Sequence, residues 1–213
     1  MSRPFCRPVF QTPPDFHGRT LVLPVISVGS VPQLAVDLLI HAPELQCARV
    51  ATLDGAECVP FVAPSEDGSA TAAVYTALDV YQAPGSGLVI VQQRSPVLKS
   101  HKTHFAQRLK AWIEEAGFAE VLIIASMDAA FRTDAEMHTA QWKLCPPKAT
   151  DTPLAAAAAH LPTFGDTPLP PIPGGGMTRT YLEHAPPTTL ALLQFSAEGD
   201  NRGDAPRACA AFP

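Results

Sequence analysis

The sequence predicts an α/β fold, in which helices cover the faces of a layered β-sheet. Two observations support this prediction. Apolar runs rich in β-branched residues alternate along the chain with segments whose apolar residues recur at the spacing of a helix. The 213 residues, 46% of them hydrophobic, are enough for one sizeable core, so we expect a single domain.

The first pair of elements is a strand followed by a helix. Residues 20–28 are apolar and rich in β-branched side chains, and Pro24 should lie at a bulge or where its missing N–H faces an edge. Gly29 ends this run. The apolar spacing then becomes helical over residues 31–42, with Ser30 as the expected N-cap. A strand, a glycine turn and an amphipathic helix form the opening half of a βαβ unit.

The middle of the chain repeats this alternation. A long helix is predicted over residues 100–116, where Phe105 and Trp112 share one apolar face and Gly117 follows as a left-handed C-cap. Two of the neighbouring strands are unbroken apolar runs, which are typical of central strands. The predicted strands of this region are residues 49–53, 71–81, 88–92 and 120–126.

The composition changes after Cys145. Residues 146–173 contain eight prolines, which exclude a continuous helix or central strand and predict a long loop over residues 146–171. The alanine run within this loop is too short to form more than about a turn and a half of helix. Beyond the loop, residues 177–184 predict a short helix and residues 190–195 a buried strand.

These elements divide the chain into three parts. Residues 1–16, which are rich in proline, predict an extended amino-terminal arm. Residues 17–201 hold the α/β domain with its Pro/Ala-rich loop, and residues 202–213 predict an irregular tail.

The net charge of the chain and its cysteine content limit the classes of function that it can have. Fifteen Lys and Arg against 20 Asp and Glu give a net charge of −5, so the chain has no general electrostatic attraction to nucleic acid or to an anionic membrane. No apolar run reaches the ~20 residues that span a bilayer, and no secretory signal is visible. We therefore expect no nucleic-acid or membrane partner, and a cytoplasmic and nuclear location. The five cysteines are widely spaced without a CxxC pair, which predicts free thiols.

We find no assembled catalytic, cofactor-binding or metal site in the sequence. The turn at Gly29 matches neither a dinucleotide-binding nor a P-loop pattern, and is predicted to be structural. His101 and His104 have a spacing that permits shared coordination, but no acidic or thiol ligand lies within a turn of them. Residues 174–176 are three consecutive glycines, which either cradle an anion or let two backbones approach closely. We favour close approach, because only Arg179 lies near enough to complement an anion.

Four longer segments of the chain resemble one known family. The segments are LPVISVGSVPQLAVDLLI (residues 23–40), VQQRSP (91–96), IPGGGMT (172–178) and FSAEGDN (195–201). In their exact order of amino acids, and not only in their hydrophobic period, these segments resemble the proteasome assembly chaperone 2 family. The resemblance ends after Asn201, so we expect a shortened or altered carboxyl terminus.

The resemblance implies a three-layer α/β/α sandwich with a mostly parallel central sheet, related in outline to nucleoside phosphorylases but without their catalytic residues. It implies a non-catalytic chaperone of the 20S proteasome that forms a heterodimer with proteasome assembly chaperone 1. Such a pair holds α-subunits while the α-ring forms and prevents off-pathway association of rings. Two alternatives stay open. One is a nucleoside- or phosphate-binding enzyme of phosphorylase-like fold, which would use the Gly29 turn or the three glycines. The other is a heterodimer scaffold with another client.

Overall fold

An eight-stranded mixed sheet lies at the centre of the molecule. The structure is a computed structural model, and it describes residues 4–64, 74–144 and 152–210. Its strands, with those of a small separate ribbon, are β1 (Cys6–Pro8), β2 (Thr20–Pro24), β3 (Ala48–Leu53), β4 (Val62–Pro64), β5 (Val74–Thr76), β6 (Leu78–Ala83), β7 (Leu88–Gln93), β8 (Glu120–Asp128), β9 (Gln141–Leu144) and β10 (Thr189–Ser196). The strand order in the sheet is β1-β3-β6-β7-β2-β8-β10-β9, and β4 pairs with β5 in the ribbon.

Helices cover both faces of this sheet. They are α1 (Val31–Ile40), α2 (Lys102–Ala116), α3 (Pro153–Ala157), α4 (Thr178–His184) and α5 (Asp204–Ala210). Because side chains alternate along a strand, Ile123 of β8 lies in the core under α2 and α4, whereas Leu122 and Ile124 lie in the core under α1, α3 and α5. The predicted α/β/α sandwich and its single domain are confirmed.

The sheet is parallel only at its centre. β7, β2, β8 and β10 run parallel to one another, while the pairings of β1, β3, β6 and β9 are antiparallel. Pairing of β2 with β7 ends at Val22, opposite Ile90, while pairing with β8 continues to Pro24. The N–H of Val25 donates to the carbonyl of Ile124 in β8. Successive residues of a strand direct their N–H groups to opposite sides, so the nitrogen of Pro24 faces β7, beyond the last residue pair of the β2–β7 ladder. The missing N–H of Pro24 therefore removes no ladder hydrogen bond, although Pro24 lies in a central strand and not at the predicted bulge or edge.

The long helix and its terminus are confirmed. α2 buries Phe105, Leu109 and Trp112, and Gly117 follows it with a φ of 70°. The N–H of Gly117 donates to the carbonyl of Glu114, which closes the last turn. Phe105 packs edge-on against Phe5, so the helix holds the amino-terminal segment as well as the sheet.

The strand predicted over residues 71–81 is two strands in its described part. β5 belongs to the ribbon and β6 to the main sheet, with a bend at Ala77 between them. The backbone N–H and the hydroxyl of Thr76 both donate to the carboxylate of Asp79, at 2.9 Å each, and this local contact turns the chain from one sheet to the other. Residues 71–73 lie outside the described residues.

Three segments are more ordered than the sequence predicts. The arm of residues 1–16 contains β1, which pairs with β3 and is itself the edge strand of the sheet, so it tolerates Pro8. The described part of the loop 146–171 contains α3 and a 3-10 turn over residues 158–160, whose Leu154 and Ala158 are buried. The tail 202–213 contains α5, which buries Ala205 and Ala208 on one face. Residues 146–151 and 211–213 lie outside the described residues.

Candidate interaction site

The connections of the central strands leave a crevice beyond the carboxyl ends of these strands. β2 continues through α1 to β3 on one side, whereas β8 continues through β9, α3 and α4 to β10 on the other side. In open α/β sheets, ligands bind at such a reversal, beyond the carboxyl ends of the strands. We call this side of the molecule, formed by the segments that follow β2, β7, β8 and β10, the carboxyl edge.

The three glycines fill this crevice with backbone. The N–H of Asp128 donates to the carbonyl of Pro173 at 2.9 Å, and the N–H of Val28 donates to that of Gly174 at 2.9 Å. A Cβ on Gly176 would lie 1.9 Å from the carbonyl oxygen of Ile26, which only glycine allows. The segment after β2 and the segment after β8 therefore meet across residues 173–176, and the interpretation of close approach is confirmed.

The Gly29 turn is closed in the same way. Gly29 has a φ of 69°, and the Nδ2 of Asn201 donates to its carbonyl at 2.9 Å. The N–H of Gly29 donates to the carboxylate of Glu198 at 3.3 Å. Ser30 is the N-cap residue of α1, as predicted, but its side chain makes no capping hydrogen bond. An acidic side chain thus occupies the N–H that a phosphate would need, and the turn is structural as predicted.

Several exposed apolar side chains lie at the carboxyl edge. The ribbon β4–β5 projects at the carboxyl edge, because β5 leads into the start of β6, which pairs with the end of β7. Loops after β7 and β8 add further apolar side chains, of which Phe131 is 65% exposed. The exposed apolar residues of this edge within the described ranges are Val59, Val62, Val74, Leu98, Phe131 and Met137. Apolar surface of this kind is typical of a protein interaction site.

A second apolar groove lies between α1 and α5. It encloses about 600 Å³, and the exposed Leu34 and Leu38 of α1 line it together with Pro206. Its floor holds an ion pair in which Arg94 Nη2 lies 2.9 Å from Asp37 Oδ1. The groove opens beside the carboxyl edge, since the first turns of α1 and α5 follow the carboxyl ends of β2 and β10.

His101 and His104 do not form a joint site. His104 contacts Glu57, whose second oxygen accepts a hydrogen bond from Arg108 Nη1 at 3.2 Å. Arg108 Nη2 also donates to Asp54 at 2.9 Å, so the turn after β3 is tied to α2. His101 contacts only the neighbouring Ser100 among the described side chains. Sequence reasoning missed this cluster because Glu57 lies 47 residues from His104.

The Asp54 contact makes a prediction about acid stability. Burial opposes ionisation of this carboxyl, but hydrogen bonds from Arg108 and from the N–H of Ala56, with the charges of Arg108 and Arg7, outweigh it and lower the pKa of Asp54. The contribution of Asp54 is therefore present above its unfolded pKa of about 3.9 and is lost as the pH falls through the folded pKa. We expect Asp54→Asn to lower stability by about 1–2 kcal/mol at pH 7.

Thermal unfolding between pH 7 and pH 3 measures this effect. The difference between Asp54→Asn and the unmodified chain should shrink as the pH falls below about 4. Asp166→Asn serves as the control, because Asp166 is exposed and makes no hydrogen bond or ion pair with the described residues. A difference that stays constant over this pH range would contradict the prediction.

The cysteines of the described ranges are free thiols, as predicted, and are poorly reactive. They are Cys6, Cys47, Cys58 and Cys209, while Cys145 lies outside the described residues. Burial raises the pKa of Cys58 to about 11, with a smaller contribution from the charges of Glu57 and Asp54. Burial also raises the pKa of Cys6 to about 11 against a hydrogen bond with Trp112. Thiols with pKa values so far above neutrality are poor nucleophiles and poor metal ligands.

The described residues contain neither a cluster suited to a metal ion nor a helix suited to a membrane. No group of three or more His, Cys, Asp or Glu side chains in residues 4–64, 74–144 and 152–210 is arranged to hold a metal ion. Over the same ranges, no helix has the length and apolar character needed to cross a membrane.

Comparison with known proteins places the chain in a family. The sequence model of the PAC2 family matches residues 21–198. The chain is 31% identical to a Nematostella vectensis protein named proteasome assembly chaperone 2, over 90% of this chain and 86% of that protein. A protein of the same name from Mus musculus is 29% identical, over 93% of this chain and 81% of its own length.

Solved structures show the same fold. Pyrococcus furiosus PbaB, described as an archaeal proteasome activator, superposes with a TM-score of 0.68 at 14% identity, over 98% of this chain and 87% of its own. P. furiosus PbaA, described as an archaeal homolog of proteasome-assembly chaperone, superposes with a TM-score of 0.67 at 16% identity, over 98% and 80%. The match of the family model to residues 21–198 and the 31% identity to the N. vectensis protein establish that the chain belongs to the PAC2 family.

Proposed function

We propose that this chain is a non-catalytic chaperone of 20S proteasome assembly, which acts by binding other polypeptides reversibly. The observation that carries the proposal is the 31% identity to a relative named proteasome assembly chaperone 2 over 90% of the chain. The solved structures contribute the fold alone. A cytoplasmic and nuclear location belongs to the same proposal.

The filled crevice supports a non-catalytic role. The place where an open α/β sheet binds small ligands is occupied by the backbone of residues 173–176, and the N–H of Gly29 is taken by Glu198. A nucleoside or a phosphate entering between the segment after β2 and the segment after β8 would have to displace backbone hydrogen bonds of the fold itself. The exposed apolar side chains at the carboxyl edge favour binding of a protein surface instead.

The proposed partners are proteasome assembly chaperone 1, in a heterodimer, and the α-subunits of the 20S proteasome. A chaperone of this kind acts by mass action. Covering a subunit surface lowers the population of subunits that is free to make wrong contacts, and release follows when the correct neighbour binds more tightly. Off-pathway association of rings is prevented for the same reason, because the covered surface is not available to a second ring.

Co-expression tests the proposal. The tagged chain is produced with proteasome assembly chaperone 1 and α-type subunits of the same organism, and the recovered proteins are quantified. We expect both classes of partner to be recovered. Replacing Phe131 and Met137 with Ser at the carboxyl edge should reduce recovery of at least one of them. Both side chains are more than half exposed, so the replacements should change the stability of the fold little.

A matched control comes from the opposite edge of the sheet. Val9 and Phe10 follow β1 at the end where β3 begins, and they are 43% and 62% exposed. Replacing both with Ser should leave recovery unchanged. A chain that is recovered alone, or one that binds a nucleoside or inorganic phosphate with micromolar affinity in calorimetry, would overturn the proposal.

A further inference from the structure

A small cleft with a positive rim lies beside the filled crevice. It is placed between the carboxyl ends of β2 and β7 and the start of α2, and it encloses about 230 Å³. Its apolar wall includes Val25, Val97 and Met177, and the exposed Leu98 adjoins it in the chain. We call it the lysine cleft, after Lys99 and Lys102, which line its entrance.

The charges at the lysine cleft are uncompensated. Neither lysine forms an ion pair within the part of the chain that the structure describes, and no acidic residue lines the cleft. The first turn of α2 contains no acidic residue, and no side chain caps its N–H groups. A helix amino terminus carries a partial positive charge, so it adds to the field of the two lysines. In a chain with a net charge of −5, this region favours an anion.

A buried hydroxyl lines the same cleft. Tyr181 of α4 is 4% exposed, and its phenol oxygen has no hydrogen-bond partner among the described residues. Gln93 lies beside the phenol, but no hydrogen bond of acceptable geometry joins the two side chains, and the amide nitrogen of Gln93 donates to the carbonyl of Ser95. A buried hydroxyl without a partner costs free energy, which a ligand that accepts its proton would recover.

We propose that the lysine cleft binds the carboxylate of an acidic residue that lies next to an apolar residue in a client polypeptide. This inference rests on the proposed function and names the chemistry of the client segment. The volume of about 230 Å³ is smaller than the roughly 300–1,000 Å³ of small-molecule sites, and it suits a single acidic side chain. Lys99 and Lys102 attract the carboxylate, Tyr181 donates to it, and Leu98 contacts the apolar neighbour. A contact formed by exposed lysines is weakened by salt, which suits a client that must be released.

The test is a charge reversal measured by recovery of α-type subunits. Lys99→Glu/Lys102→Glu should lower the amount of α-subunit that co-purifies with the tagged chain at least roughly tenfold. The recovery of proteasome assembly chaperone 1 should stay unchanged, because the reversal acts on the client contact. Acidic residues near the start of a helix are favourable, so the double variant should unfold at the same temperature as the unmodified chain or slightly higher.

The control is a charge reversal on the same helix. Lys110 lies about two turns after Lys102 and makes an exposed ion pair with Glu114, away from the cleft. Lys110→Glu should change α-subunit recovery by less than about twofold, whereas Lys102→Glu alone should reduce it clearly. Tyr181→Phe, which removes only the hydroxyl, should also reduce recovery, without lowering the unfolding temperature.

The outcomes separate this inference from the proposed function. If the unmodified chain recovers α-subunits and the double variant recovers as many, the lysine cleft does not hold the client and only this inference is wrong. A double variant that loses both partners to the same extent would also overturn it. If the unmodified chain recovers no α-subunit, the proposed function is wrong and the inference is wrong with it.

Discussion

Gly176→Ala is expected to destabilise the fold more than most single methyl additions do. The new Cβ would lie 1.9 Å from the carbonyl oxygen of Ile26, and this atom belongs to the backbone, which cannot rotate away as a side chain can. Gly176 also has a φ of 59°, a left-handed conformation that costs other residues about 1–2 kcal/mol. Overpacking adds about 1–3 kcal/mol, so we expect a loss of about 2–5 kcal/mol.

Chemical denaturation of the purified chain measures this loss. Gly203→Ala is the matched control, because Gly203 has no positive φ and no atom within 4 Å of an added Cβ. It should change the free energy of unfolding by less than about 0.5 kcal/mol. If both variants unfolded at the same denaturant concentration, residues 173–176 would not be packed against the segment after β2 as described. A loss of stability at Gly176 alone would confirm that the crevice is part of the folded core.

Phe105→Ala is expected to cost about 3–5 kcal/mol. The Phe105 side chain is fully buried at the start of α2, where it contacts the rings of Phe5 and Tyr181, so truncation leaves a cavity under three elements. For a domain of about 200 residues, each kcal/mol lowers the unfolding temperature by about 2–4 °C, which gives an expected decrease of roughly 6–20 °C. Thermal unfolding followed by circular dichroism measures it.

An exposed phenylalanine serves as the comparison for Phe105. Phe10 is 62% exposed, so Phe10→Ala removes the same ring without opening a cavity and should shift the unfolding temperature by no more than about 2 °C. Equal shifts for the two variants would argue against the described packing of α2. Because Phe105 also contacts Phe5, its truncation should loosen the amino-terminal segment, and limited proteolysis before Thr20 should become faster.

The long, regular elements could be predicted well because their signals are local. The apolar face of α2 repeats over 15 residues and ends at a glycine suited to a left-handed cap, so neighbours in sequence contain the whole pattern. β7 and β8 are unbroken apolar runs, which indicate burial on both faces. The parallel centre of the sheet follows from the alternation of such strands with helices.

The short elements could not be predicted in this way. β1 has three residues and ends in a proline, so no periodicity can form within it, and its strand geometry depends on pairing with β3. α5 has seven residues with only alanines buried, and it contains a proline, which weakens a helical signal. These segments take their structure from contacts with distant parts of the chain, which outweigh their own preferences.

The sequence by itself determined the layered α/β architecture, the central strands, α2 and the likeness to a family, since each depends on patterns within contiguous residues. Only the tertiary structure decided what the three glycines do, because the segment they contact ends near Ile26, about 150 residues earlier in the chain. The same holds for Glu57 beside His104 and for Tyr181 beside Lys99 and Lys102. Such pairs are brought together by the packing of the sheet and its helices, and a local pattern of residues contains no information about which distant atoms will meet.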